Sequence, residues 1–329
     1  MSLKILRSGI LDTIQDSGRC GSQHLGINPS GAMDCFSSQL SNAVLGKELK
    51  SPVIEFHFPS SQILFEKENI ICICGADFLP TINNQPVPLH HPIVVNKNSI
   101  LKFSKLQSGA RCYLSLLNEI NIEKWNNSYS TNLKANAGGF KGRPLLANDV
   151  IGCKENFGVS NILKNRDLVV LPWKAQDTVD TRNEIEFIIG SEWHWLTKDA
   201  RESFSEHWFQ ITNEADRMGY RLAGQKLFAN TEEQLVSSAV SFGTIQLLPK
   251  GQLIILMADH QTTGGYPRIA HIISAHLPIL AQKKPNDVVR FKLTSLEEAQ
   301  KKLVNQKKYL NQLQIACKFR LEELLHAAL

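Results

Sequence analysis

The sequence predicts a mainly β protein of barrel or sandwich type, with only a few helices (α+β). Short runs rich in Val, Ile and Phe recur along it: QILF, NIICIC, PIVV, ILKF, RCYLSLL and DLVVLP, then IEFIIG, HWFQIT, TIQLLP, QLIILM and VVRFKL. Turn residues separate most of these runs, which is the spacing of an antiparallel β architecture. Helical periodicity is scarce by comparison.

The clearest helical stretch is PSGAMDCFSSQLSNAVLG. Met33, Phe36, Leu40 and Val44 form its apolar stripe, Ser30 is placed to cap its start, and Gly46 sits where a C-terminal glycine belongs. A second helix is expected from Ser295 to the C-terminus, opened by Ser295 and Glu298 at capping-box spacing. Its apolar positions, among them Leu296, Ala299, Leu303, Leu310, Leu313, Phe319 and Leu324, face either the body of the protein or a partner. Docking onto the chain itself is the preferred reading. The polar stretch from Glu119 to Lys141 is poor in Val, Ile and Leu and reads as a long connection or flap. The expected organisation is a strand-rich portion 1–118 with the early helix, the connection 119–141, a second strand-rich portion 142–294 and a C-terminal helix 295–329.

Composition bounds the function. A chain of 329 residues, 43% hydrophobic and 20% charged, can bury the core of one large domain or two ordinary ones. No segment approaches the roughly 18 apolar residues of a membrane helix. The opening MSLKILRSGILDTIQDSG lacks the apolar core of a secretory signal, which points to the cytoplasm. Seven cysteines, at positions 20, 35, 72, 74, 112, 153 and 317, lie mostly inside apolar runs and suit reduced thiols. Cys72 and Cys74 share a strand face, but no second Cys/His cluster accompanies them, so no metal is assigned. The net charge of +5 is mild. Its densest patch, six Lys/Arg against four Glu after Ser295, reads as a solvated helix face rather than a nucleic-acid surface.

Several chemistries are excluded by missing motifs. Gly46-Lys47 is followed by Glu48, so there is no Walker phosphate loop, and the dinucleotide, zinc-protease and nucleophile-elbow signatures are absent. None of the four methionines sits in a biotin-attachment motif, so any biotin would come on another polypeptide.

Three polar, glycine-bearing stretches remain: LDTIQDSGRCGSQHLGINPSGAMD (Leu11 to Asp34), DRMGYRLAG (Asp216 to Gly224) and ADHQTTGGYPRIA (Ala258 to Ala270), the last with FGTIQLLPKGQ just upstream. The third offers the His260 imidazole, the Gln261 amide, hydroxyls on Thr262 and Thr263, and backbone N–H groups at Gly264 and Gly265 that an anionic ligand can approach closely. Arg217 and Arg221 are suited to a bidentate grip on carboxylate or phosphate. Tyr220 and Tyr266 are suited to walling a flat ring. Each has a plainer reading: a structural histidine, a hairpin turn at Gly264-Gly265, ordinary strand threonines, and an ion pair for Asp216. In the first stretch Asp12, Gln15, Asp16, Arg19, His24, Ser30 and Asp34 serve either a ligand or the hydrogen bonding of a buried loop.

QTTGGYP together with RMGYRL, in that order, resembles the C subunit of bacterial ATP-dependent 5-oxoprolinase, a family also described as allophanate hydrolase subunit 2 or biotin-dependent carboxyltransferase. The module is similar to the carboxyltransferase region of urea carboxylase. The resemblance spans roughly Leu6 to Ala299. It implies a cyclophilin-like β-barrel, action beside 5-oxoprolinase subunits B and A, and ATP-driven opening of the lactam of 5-oxo-L-proline to L-glutamate. ATP with Mg is then the implied cofactor. His260, Arg217 and Asp259 become the catalytic candidates, with Gln261, Thr262, Thr263, Gly264, Gly265, Tyr266, Tyr220, Arg221 and Gln246 around the substrate.

The chain departs from the family pattern at Asn118-Glu119, at NSYST (Asn127 to Thr131), at Asn148-Asp149, at Asn286-Asp287 and at Gly190-Ser191-Glu192. Asn tolerates left-handed turns, so most of these are mild. Tyr129 replaces an arginine, which bears on substrate identity. Two other functions stay open: the carboxyltransferase component of a biotin-dependent urea or amide carboxylase, and a non-catalytic binding protein acting on a kinase inhibitor.

Overall fold

The computed structural model describes residues 2–154, 159–164, 166–176, 182–231 and 233–327. Chain contacts divide it into two units, both discontinuous in sequence. One comprises Met1–Gly18, Asp34–Val179 and Lys307–Leu329, the other Arg19–Met33 and Asp180–Gln306. The polar stretch 119–141 lies within the first unit. Each of the eleven apolar runs forms a strand, as expected for a mainly β fold.

The first unit is built on two six-stranded sheets. One joins, in spatial order, β11 (Val150–Gly152), β1 (Ser2–Arg7), β4 (Gln62–Phe65), β9 (Ser99–Phe103), β6 (Pro80–Ile82) and β7 (Gln85–Pro86). The other joins β12 (Leu168–Val170), β8 (Pro92–Val95), β5 (Asn69–Asp77), β10 (Ser108–Leu116), β3 (Val53–Phe56) and β2 (Thr13–Gln15). Leu3, Ile5, Ile63 and Phe65 of the first sheet share a buried cluster with Ile54, Phe56, Ile71, Ile73 and Leu114 of the second. Alternation sends Ile70, Cys72 and Cys74 to the other face of β5, among Leu40 and Val44 of helix α1 (Cys35–Val44) and Leu310 and Leu321 of helix α5 (Leu296–Ala327). Burial on both faces is why NIICIC reads as an unbroken apolar run.

Helix α1 begins later than the sequence suggested. Ser37 donates to the Asp34 carboxylate from its backbone N (2.8 Å) and its Oγ (2.6 Å), so Asp34 is the N-cap. Ser30 sits at φ +54°, a left-handed conformation that cannot enter a helix. Gly46 takes the left-handed position after the helix, as expected. In α5 the Glu298 N–H donates to Ser295 Oγ (3.2 Å), half of the expected capping box. Its buried positions, including Leu310, Cys317 and Leu321, dock it onto the chain itself.

The second unit carries the barrel expected from the sequence. Seven strands close it in the order β13 (Glu184–Ile189), β20 (Arg268–Ile272), β17 (Thr244–Leu247), β18 (Leu253–Leu256), β15 (Gly219–Ala223), β14 (Phe209–Ile211) and β21 (Val288–Leu293). Every neighbouring pair is antiparallel except β13 and β21. Phe187, Phe209 and Phe291 fill the interior with Phe204 from helix α3 (Lys198–Glu206), whose ring stacks on Phe291 at 4.7 Å. A two-stranded ribbon, β16 (Ser238–Ala239) with β19 (Thr263–Gly264), stands outside the barrel sheet. Short helices α2 (Ser160–Leu163) and α4 (Leu277–Ala281) complete the fold. No helix among the described residues is long and apolar enough to cross a membrane.

Candidate functional site

Strand registers place the candidate residues on the second unit. Gly219 of β15 lies opposite Leu256 of β18, and Thr244 of β17 lies opposite His271 of β20. The start of β15, the end of β18, the start of β17 and the end of β20 thus form one rim. Arg217 immediately precedes that rim and Asp259 and His260 immediately follow it. The ladder extends to them, because Asp259 N–H donates to Arg217 O at 2.8 Å.

Arg217 and Asp259 grip one another. Arg217 donates through Nε to Asp259 Oδ2 (2.8 Å) and through Nη2 to Oδ1 (3.1 Å), and Nη2 also reaches the Gly31 carbonyl at 2.7 Å. Asp259 accepts from Ser30 Oγ at 2.7 Å, and its backbone carbonyl accepts from Asn28 Nδ2 at 2.9 Å. The left-handed turn at Ser30 aims its hydroxyl at the carboxylate. The pair therefore fastens the 28–31 segment to the rim. Asn28 was not singled out from sequence, because its partner lies 231 residues away.

His260 is buried beside this clamp. Its Nδ1 lies 2.5 Å from the Gln261 carbonyl, so Nδ1 carries the proton and donates. Nε2 then presents a bare lone pair and has no partner among the described residues. Burial lowers the imidazole pKa, against smaller raising effects of the Gln261 carbonyl and the Asp259 carboxylate. The ring is a neutral acceptor at pH 7.

Between His260 and Pro267 the chain crosses the outside of the barrel to the opposite rim. Thr263 and Gly264 pair with Ala239 and Ser238 on the way, and Val240 N–H donates to Thr262 O (3.2 Å). A Cβ on Gly264 would lie 2.7 Å from Gln246 Nε2, so this glycine lets the ribbon lie over the buried Gln246 side chain. Gly265 and Tyr266 come at the far rim, where Leu247 N–H meets Pro267 O (3.0 Å). Strand β17 spans about 13 Å at ~3.3 Å per residue. His260 and Tyr266 thus occupy different ends of the barrel. Among the described residues the side chains of Gln261, Thr262 and Thr263 form no hydrogen bond, which leaves them available to a ligand.

Two expected contacts are not supplied. Tyr220 points into the barrel core, 1% exposed, so its ring is packing rather than a wall of an open site. Arg221, the next residue on β15, faces the other way and pairs with the exposed Glu214 at 2.9 Å. Sequence reasoning passed over Arg268, whose N, Nε and Nη2 all donate to Glu192 at 2.8 to 3.0 Å. It also passed over His271, whose Nδ1 lies 3.1 Å from Thr244 Oγ1. Only the barrel register brings these pairs together.

Comparison with known proteins places this geometry. Residues 25–293 match the carboxyltransferase domain, subdomain A and B. The chain belongs to that family. It is 33% identical over 301 residues to the 5-oxoprolinase C subunit of Haemophilus influenzae, covering 92% of this chain and 94% of that protein. It is 31% identical over 319 residues to the 5-oxoprolinase C subunit of Escherichia coli, covering 94% of this chain and 97% of that one. The fold is shared with the crystal structure of the K. lactis urea amidolyase, at a TM-score of 0.85 and 25% identity over 95% of this chain but only 20% of that much longer one. Members of this carboxyltransferase family thus occur both as a subunit of similar length and as one region of a long polypeptide.

Proposed function

We propose that this chain is a subunit of an ATP-dependent 5-oxoprolinase that converts 5-oxo-L-proline to L-glutamate together with subunits A and B in the cytoplasm. The observation that carries the reading is the end-to-end match to two 5-oxoprolinase C subunits at 31 to 33% identity.

The rim at His260 supports a part in amide hydrolysis. A lactam is a poor electrophile, and its opening requires water to lose a proton as it attacks the carbonyl carbon. The ring C–N bond then breaks and the nitrogen leaves as an amine. His260, neutral and with Nε2 bare, is suited to take that proton and to pass it to the departing nitrogen as the C–N bond breaks. Asp259 does not compete for it, since Arg217 and Ser30 occupy its oxygens. Arg217 and Asp259 hold the 28–31 segment and the start of the 260–266 stretch in place, while Gln261, Thr262 and Thr263 offer an amide and two hydroxyls to substrate oxygens. ATP and its magnesium enter as co-substrate. Among the described residues no group of three or more His, Cys, Asp or Glu is placed to hold a metal ion.

The test is co-production of this chain with subunits A and B and assay of glutamate from 5-oxo-L-proline and ATP, omitting one chain at a time. Glutamate release that needs this chain and falls with His260→Gln supports the reading. A complete complex that releases none sinks the substrate assignment. The fold shared with urea amidolyase favours a second reading, a carboxyltransferase component of a urea or amide carboxylase. Carboxylation of urea that depends on an added biotin carrier would select it.

A further inference from the structure

The rim opposite His260 opens into a cleft of about 540 Å³, within the ~300 to 1,000 Å³ of small-molecule sites. Its aromatic walls are Trp195, Phe228 and Tyr266. Its polar side chains are Thr231, Glu233 and Gln234. The walls are pinned by backbone hydrogen bonds: Asn230 N to Trp195 O (2.7 Å), Leu227 N to Gly251 O (3.0 Å) and Leu247 N to Pro267 O (3.0 Å). These bonds fix the aromatic walls of the cleft.

Three features define what fits. Phe228 and Tyr266 keep 60% and 45% of their surface in water, an exposure of large rings that a flat ligand would relieve. Among the described residues lining the cleft there is no Lys, Arg or His, and Glu233 is the one charge. A phosphate or carboxylate would meet the repulsion of that exposed carboxylate without gaining a cation. Gly265 and Tyr266 also donate their backbone N–H groups to no described protein acceptor. These donors suit a carbonyl oxygen at the ring's edge, and Glu233 suits an N–H.

We propose that this cleft binds a flat, uncharged ring bearing an amide edge. The site is separate from the His260 rim, and its case does not depend on the reaction assigned there. An anionic substrate such as 5-oxo-L-proline does not match its lining.

The test uses two probes of the same shape and different charge, indole-3-carboxamide and indole-3-carboxylate, titrated into the full chain by calorimetry and ligand-observed NMR. The carboxamide should bind about tenfold more tightly than the carboxylate. Tyr266→Ala or Trp195→Ala should weaken it about tenfold, Tyr266→Phe should not, and Gln261→Ala at the His260 rim, whose side chain makes no hydrogen bond among the described residues, should leave it unchanged. Should the alanine variants not fold, the carboxamide must shield wild-type Trp195 from acrylamide quenching, a signal absent in Trp195→Phe. Equal binding of both probes, no binding, or loss with Gln261→Ala alone overturns the proposal. So does shielding of Trp195 only when the other subunits are added, which would make the cleft a docking surface.

Discussion

Arg217 Nε lies 2.8 Å from Asp259 Oδ2, and the two side chains keep only 5% and 12% of their surface exposed. Such a pair contributes little over a well-packed apolar pair, but breaking it from one side leaves a charge buried without a partner. Arg217→Met or Asp259→Leu alone is expected to destabilise the second unit by about 3 to 5 kcal/mol. The double variant should cost clearly less than the sum. A chemical-denaturation double-mutant cycle checks this, and additive losses would show that the two residues do not act as a unit.

His260 makes stability depend on pH in a defined direction. Its pKa is held below the ordinary 6.5 by burial. On acidification below 6.5 the unfolded chain takes up the proton before the folded one does, so stability is intact above pH 6.5 and drains away as pH falls. His271, lowered in the same way by burial and by Arg268, adds to this slope. Asp12 opposes it: its buried carboxyl is raised to about 6, so its contribution is lost as pH rises from 3.8 to about 6. His260→Gln should flatten the loss of stability below pH 6.5, read for each variant relative to its own value at pH 8. Midpoints of thermal unfolding at pH 8, 7, 6 and 5.5 give the comparison. With His260 in the proposed role of base, the same lowered pKa keeps it in its proton-accepting form at neutrality, so glutamate release should not fall between pH 8 and 7 on its account.

Tyr129, where the resemblance leads one to expect arginine, is held by its backbone. Asp16 accepts from Tyr129 N (2.7 Å), Ser128 Oγ (2.7 Å), Ser130 Oγ (2.5 Å) and Gly18 N (2.8 Å). The NSYST loop is thus a cage around one carboxylate, and its conformation does not depend on the side chain at 129. Tyr129→Arg should fold with a loss of about 1 kcal/mol or less, from the Lys124 ammonium now 5.1 Å from the ring centre. A change in KM without a change in unfolding midpoint would mark position 129 as a specificity determinant. Asp16→Asn should cost about 1 to 3 kcal/mol, since an amide cannot accept from all four donors.

The strands were legible because alternation and β-branched runs are local signals. TIQLLP and QLIILM are β17 and β18, with Ile245 and Ile255 turned into the barrel. The barrel itself came from the family resemblance, since closure is a matter of which strands pair. Strands β15 and β20 were hidden at the polar motifs DRMGYRLAG and ADHQTTGGYPRIA, and Tyr220 and Arg221 of β15 were read there as site residues. That is why Tyr220 was mistaken for an open wall. The ADHQTTGGYP stretch was recognised as special but read as one site. Only the antiparallel register of β17, β18 and β20 shows that its two ends lie on opposite rims. Asn28, Ser30 and Gly31 meet Asp259 and Arg217 across more than 180 residues, and no local pattern encodes such a pairing.

Two glycines with similar backbone separate strain from crowding. Gly21 (φ +88°) and Gly46 (φ +64°) both sit in the left-handed region. A Cβ at Gly21 would meet nothing within 4 Å, whereas one at Gly46 would lie 2.6 Å from the Lys318 Cα and 2.9 Å from its backbone N. Gly21→Ala should therefore lose only the backbone preference, about 1 to 2 kcal/mol. Gly46→Ala carries the same penalty and must also push α5 away from the end of α1, adding about 1 to 3 kcal/mol for overpacking against a rigid helix backbone. Beyond its lower unfolding midpoint, Gly46→Ala should speed amide exchange around Lys318, which Gly21→Ala should leave alone. Equal losses in the two variants would mean that α5 yields freely at Lys318 and that the close approach of the two helices contributes nothing to the stability of the first unit.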